Sequence, residues 1–182
     1  MGRRNFSTAN IVPSAPRDEG RHGLGRVALL LGLALAAMPL APARAEEQSA
    51  AACGTPGAPA GPRIEVVVTG ARKVAGNMTI TLYGSRPEAF LARTGKLARQ
   101  RVPVHGPETE ACFGVSAPGD YAIAVYHDEN DDHDFNRSIL GRPEEGYGFS
   151  NDAPTTIGLP SFDAVRFPIG ADGGRMTIRL RY

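Results

Sequence analysis

The sequence predicts an all-β fold, an antiparallel β-sandwich of about seven strands with one short helix. Three observations predict it. Short β-branched or aromatic runs alternate apolar and polar residues with period two across the C-terminal two thirds of the chain. Turn-forming residues punctuate those runs, and 22 Gly with 15 Pro in 182 residues leave little room for long helices. Only one stretch carries helix-forming chemistry with a start and a stop.

The chain opens with an address rather than structure. Arg21 and Arg26 precede the apolar run 27–40 (VALLLGLALAAMPL), and Ala43-Arg44-Ala45 supplies the small-x-small exit of a Sec-type signal peptide. Roughly 14 apolar residues rise about 21 Å as a helix, short of the ~30 Å hydrocarbon core of a bilayer. Cleavage after Ala45 is therefore expected, with export to the periplasm or beyond and no transmembrane segment afterwards. Arg3-Arg4 lies too far ahead of the apolar run to mark a twin-arginine signal. Glu46 and Glu47 separate that run from Cys53, which argues against lipidation.

Six Arg, one Asp and one Glu leave with residues 1–45, so 14 basic and 17 acidic residues remain, a formal balance of −3. That charge excludes the basic footprint of a nucleic-acid binder. Residues 46–62 read as a flexible Pro/Ala/Gly linker, and 63–182 as the sandwich domain. Cys53 and Cys112 are the two cysteines; an even count in an oxidising compartment predicts one disulfide, the alternative being two free thiols.

The elements follow in order. Residues 64–69 (IEVVVT) are β-branched and stop at Gly70. Residues 78–83 (MTITLY) set Met78, Ile80 and Leu82 on one face. Gly76-Asn77 is turn chemistry, so these two strands are expected to pair as a hairpin. Pro87 at a first turn and Gly95 beyond the end predict one or two helical turns over 87–93. Residues 99–104 form a strand that Pro103 confines to an edge. Residues 109–115 follow, and 121–127 (YAIAVYH), the most apolar run, is central. Residues 164–169 and 176–182 (MTIRLRY) complete the set; in the last, Met176, Ile178 and Leu180 form the buried face.

The one concentration of ligand-type residues is 127–136 (HDENDDHDFN), where five acids occur between Asp128 and Asp134 with no basic residue among them. Asp128, Asn130 and Asp132 have the D-x-[DN]-x-[DN] spacing of a calcium loop. Asp134 would offer its backbone carbonyl and Asn136 a side-chain or water-bridged oxygen, since a hard cation takes six to eight oxygens. His133 stands where Gly usually permits a left-handed turn, and His tolerates that conformation. Ile139 stands where the bidentate Glu belongs, so Glu144 or Glu145 would have to swing back. The competing reading is a solvated acidic turn. A third is a transition-metal site, as of a metal-dependent hydrolase, using His127, Asp128 and His133. No third histidine supports it: His22 lies in the leader and His105 lacks acidic neighbours.

Nucleophilic catalysis has no motif here. Ser150 and Ser161 lack a G-x-S-x-G elbow, and no phosphate-cradling glycine loop occurs. Residues 141–162 form a long aromatic, Gly/Pro-rich loop, a class usually functional or mobile. Its candidate partner-contacting residues are Glu145, Tyr147, Phe149, Ser150, Asn151 and Phe162. Tyr147, Phe149 and Phe162 either line a ligand surface or fold over the sandwich end as a lid.

Residues 121–152 (YAIAVYHDENDDHDFNRSILGRPEEGYGFSND), followed by Leu159-Pro160-Ser161-Phe162, resemble the bacterial domain-of-unknown-function family 2141. Its pattern is a strand ending in HDxN, an acidic turn, then G-x-P-x-E-G-[YF]-G-F-S-N and a later P-x-F. His127, Asp128 and Asn130 match the first part. Gly141, Pro143, Glu145, Gly146, Tyr147, Gly148, Phe149, Ser150 and Asn151 match the second. The resemblance implies an exported, small immunoglobulin- or prealbumin-like sandwich without an assigned activity. The family's turn often reads D-x-N-x-[ND]-G-x-x-D; His133 and Asn136 depart from it.

The functional expectation is an exported, non-enzymatic binding or accessory module with an envelope protein or small ligand as partner and a calcium-stabilised acidic loop. The alternatives are the hydrolase and a purely structural envelope protein.

Overall fold

A computed structural model describes residues 48–182; the signal-peptide reading of 1–45 lies outside the described residues. Nine strands follow in order: β1 (Ala50–Ala52), β2 (Arg63–Thr69), β3 (Asn77–Tyr83), β4 (Lys96–Pro103), β5 (Glu108–Val115), β6 (Gly119–Asp128), β7 (Tyr147–Phe149), β8 (Phe167–Ile169) and β9 (Gly174–Arg179). One helical turn, α1 (Phe162–Val165), precedes β8.

Two sheets pack face to face in an all-β sandwich. One has the order β1-β5-β2-β9; the other runs β4-β3-β6-β7, with β8 also paired to β6. Every pair is antiparallel except β2 with β9. The period-two pattern builds the core. Ile64, Val66, Val68, Phe113 and Ile178 from the first sheet meet Met78, Ile80, Leu82, Tyr121 and Ile123 from the second, all at most 1 % exposed. Each such side chain contributes about 1.5–3 kcal/mol on burial. β6 is central, bonded to three strands, and β4 lies at an edge, both as its composition predicts.

Four expectations are corrected. First, β2 and β3 do not form a hairpin: β2 pairs β5 and β9, whereas β3 pairs β4 and β6. Crossing between sheets turns the two apolar faces toward each other, whereas a hairpin would lay them side by side. Gly76 makes the crossing with φ +65°, and a Cβ there would strike the Asp128 carbonyl. Second, the helix at 87–93 reduces to a 3-10 turn, Pro87–Ala89. The α-turn falls at Phe162–Val165, overlapping the start of the predicted strand 164–169, because Phe162 and Val165, three apart, bury on one side. Third, the linker contributes β1, held against β5 by Ala50–Ala52 and by the Cys53–Cys112 disulfide beyond it. Fourth, the last strand ends at Arg179, and Arg181 leaves it to bridge Tyr147.

The second sheet is covered on its outer face as well. Tyr83 and Ala122 meet Phe149, Ala153, Phe162 and Val165 in a second apolar cluster. The segments flanking β7 therefore lie over that sheet, and they carry the candidate site there.

Candidate functional site

The acidic loop begins where β6 ends. Asp128, fully buried, accepts the amide N–H of Asp132 at Oδ1 (3.1 Å) and of His133 at Oδ2 (2.9 Å). Asn130 Oδ1 accepts the Asp132 N–H (3.3 Å), and Asp132 Oδ1 accepts the Asp134 N–H (2.9 Å). The amides of Asn130 and Asn136 both donate to Asp132 Oδ2, at 2.8 and 2.9 Å. These bonds hold the exposed Asp132 carboxyl below its usual range, Asn136 first among them. Asp131 (φ 59°) and His133 (φ 67°) are left-handed, so His133 takes the conformation that Gly usually supplies.

Of the five expected metal ligands, Asp128, Asn130, Asp132 and Asn136 are thus joined in one hydrogen-bonded turn. The Asp134 carboxylate instead accepts the Phe135 N–H (2.8 Å). The tightest set of donor-type side chains is different: Asp128, Asp131 and His133 have ligand atoms within 4.8 Å of one another. His127 does not join them. Its Nδ1 meets the Tyr182 hydroxyl (3.0 Å) and its Nε2 the Ala75 carbonyl (2.8 Å), so both ring nitrogens are committed inside the fold. The structure does not bring His127 of the expected trio together with Asp128 and His133: β-strand alternation turns His127 to the face opposite Asp128.

Glu145 closes the loop. It swings back, only 4 % exposed, and accepts the Glu129 N–H at Oε1 (3.0 Å) and the Asn136 N–H at Oε2 (3.1 Å). Burial raises its pKa; the two amide bonds act the other way, and the charges of Asp128 and Asp132 add to the rise. Glu129 behaves oppositely. Burial would raise it, but Lys73 (2.8 Å) and Arg72 (2.6 Å) grip both oxygens and hold its carboxyl low.

Gly146, Ser150 and Asn151 of the 145–151 segment hold the fold together. Gly146 passes so close to the Tyr182 ring that a Cβ would overlap it. Ser150, fully buried, accepts the Ile123 N–H (3.0 Å) and donates to the Val165 carbonyl, a placement unsuited to a nucleophile. Asn151, left-handed at φ 61°, donates to the Ala164 and Arg166 carbonyls at 3.2 and 3.0 Å. Phe162 belongs to the second apolar cluster. Of the three loop aromatics, Phe162 packs as a lid on the core, Tyr147 lines a cavity, and Phe149 does both.

That cavity, about 520 Å³, lies between the outer face of the second sheet and the loops that cover it. Tyr126, Phe135, Tyr147 and Phe149 form a chain of edge-on and tilted ring contacts along it, with centroids 5.6–6.3 Å apart. Arg99, Arg137 and Arg142 join the lining, and Leu140 and Leu159 stand at it with 80 % and 60 % exposure. Sequence reasoning did not single out these five residues. Their one local signal is the run Arg137-Ser138-Ile139-Leu140-Gly141-Arg142, a turn closed by Gly141 N–H to the Ser138 carbonyl (2.8 Å) with two apolar residues between arginines. Arg99 comes from the edge strand β4, and only sheet register brings it opposite Thr81.

Among the described residues no helix is long and apolar enough to cross a membrane. No curated protein and no solved structure matches the chain significantly. The family model described as "Uncharacterized protein conserved in bacteria (DUF2141)" does match, over residues 66–178, from the middle of β2 to the end of β9. It takes in the second sheet and most of the first, the acidic turn and the Glu145–Asn151 segment whose contacts hold that turn closed, and by this match the chain belongs to that bacterial family.

Proposed function

We propose that the protein is an exported, non-enzymatic binding module that holds a small ligand in the cavity over its second sheet, with the acidic loop as a calcium-stapled support for one wall. The observation that carries this reading is the cavity itself. At about 520 Å³ it falls within the ~300–1,000 Å³ of small-molecule sites and has the aromatic lining they favour.

The acidic loop is joined to that wall. Asn136 bonds Glu145 through its N–H, and its carbonyl accepts the Glu144 N–H (3.0 Å). Phe135 and Arg137, on either side, line the cavity. The donors fit a hard cation: carboxylate and amide oxygens at alternate positions, with a left-handed residue at the sixth. Calcium would supply charge neutralisation where Glu145, Asp128 and Asp132 repel one another. The hydrolase alternative is less well supported, because His127 has no free ring nitrogen.

Two measurements test the reading. Thermal melts in calcium and in chelator should differ, since an ion that binds only the folded state stabilises by about 2.7 kcal/mol at a hundredfold excess over Kd; superimposed curves would remove the ion. Screening small apolar and amphipathic compounds by melt shift should give hits that Ala124→Trp, which fills the cavity, abolishes. Hits unaffected by that change, or none at all, would sink the binding module and favour the structural envelope protein.

A further inference from the structure

We infer that the cavity takes an amphipathic anion, an aromatic or aliphatic body carrying one carboxylate. This rests on the binding reading above and adds the ligand's charge. The observation is a charge imbalance at the site. Arg99, Arg137 and Arg142 line the cavity, yet none forms a salt bridge among the described residues; the arginines that do, Arg72, Arg166 and Arg175, lie elsewhere. In a domain whose formal charge is negative, three unpaired guanidinium groups around one apolar cavity complement an anion.

Their surroundings agree. Arg99 donates from Nε to Thr81 Oγ1 (2.9 Å), which fixes the guanidinium along the outer face of the sheet. It also lowers the pKa of the adjacent Tyr83 hydroxyl, against the larger upward push of burial. Arg137 lies over the Phe135 ring at 4.9 Å, and the Arg142 side chain makes no hydrogen bond among the described residues. A planar guanidinium presents paired donors that match a carboxylate, which a point charge does not.

The apolar part of the ligand is matched by the four rings and by the rim. Leu140 and Leu159 lie on the lining, and beside them Ile139 and Ile157 are wholly exposed, at 102 % and 100 %. Four large apolar residues on two neighbouring loops extend the aromatic surface outward, where an entering hydrocarbon would cover it. An anionic bilayer would suit the rim but would not require Arg99, which stands on β4 beside the sheet face.

The test is titration calorimetry of the full chain at low ionic strength with three probes of one shape: phenylbutyrate, phenylbutanol and phenylbutylamine. Phenylbutyrate should bind at least about tenfold more tightly than the alcohol, and the amine more weakly than either. Arg142→Gln, at an exposed side chain the fold does not use, and Arg137→Gln should each weaken phenylbutyrate by about tenfold and leave phenylbutanol unchanged. Equal affinity for all three probes would overturn the anion inference while the binding module stands. No binding of any probe, together with no melt-shift hits, would overturn both. Sedimentation with anionic phospholipid vesicles without saturable phenylbutyrate binding would assign the rim to a bilayer and overturn the cavity ligand.

Discussion

Glu145 is the residue whose replacement tests most of the loop's physics. Its carboxylate accepts two amide N–H groups from opposite sides of the acidic turn, Glu129 at 3.0 Å and Asn136 at 3.1 Å. Glu145→Gln keeps the shape and one acceptor, but its NH2 group meets the second amide donor to donor. A hydrogen bond to a charged group contributes about 1.5–3 kcal/mol, and an unmatched buried donor costs a comparable amount. Against this, burial and the neighbouring Asp128 and Asp132 make the charge itself unfavourable, so removing it returns part of the loss. The expected net loss near neutral pH is about 1–2 kcal/mol. For a domain of this size it lowers the melting temperature by about 3–8 °C.

Acidity adds a signed check. Because the folded pKa of Glu145 is raised, its contribution is fully present below the ordinary carboxylate range and is lost as pH rises through the folded value. Glutamine does not titrate. The gap between wild type and Glu145→Gln should therefore be widest in acid, below about pH 4.3, and should narrow toward neutrality. Glu129 and Asp132, both lowered, lose stability in the opposite direction, but they are common to both proteins and cancel in the difference. Circular dichroism melts in chelator across that range make the measurement. Identical melting temperatures at every pH would refute the claim that this carboxylate closes the loop.

Two further outcomes follow from the fold. Cys53→Ala with Cys112→Ala opens a loop of 59 residues' separation and should cost up to about 4 kcal/mol, read as a lower denaturant midpoint; an unchanged midpoint would mean that β1 holds without the bond. Thr79 Oγ1 is buried without a hydrogen-bond partner among the described residues, so Thr79→Val should raise stability by about 1 kcal/mol in the same assay, and a loss would reveal an unseen partner.

The strands were legible because their signal is local. Alternation in 78–83 and in 121–127 identifies the inward face of each strand without knowledge of its neighbours, and Pro103 marks an edge by lacking a donor. The acidic loop was legible as a cluster for the same reason, but that Glu145 reaches back to bond the amides of Glu129 and Asn136 is decided by tertiary placement, because distance along the chain carries no geometry. The β2–β3 pairing failed because turn chemistry reports a reversal but not whether the chain stays in one sheet. The α-turn at Phe162–Val165 was missed because four residues are too few for periodicity to separate helix from strand.

What the sequence determined by itself is the alternation, the two cysteines and the run of acids, each a property of residues a few positions apart. Tertiary structure decided the rest. Sheet register carries Arg99 to Thr81, and pairing of β7 with β6 sets Tyr147 and Phe149 beside Tyr126 and Ala124. The cavity and its three unpaired arginines exist only through that placement, since residues far apart in the chain become neighbours only once apolar burial has chosen which faces meet.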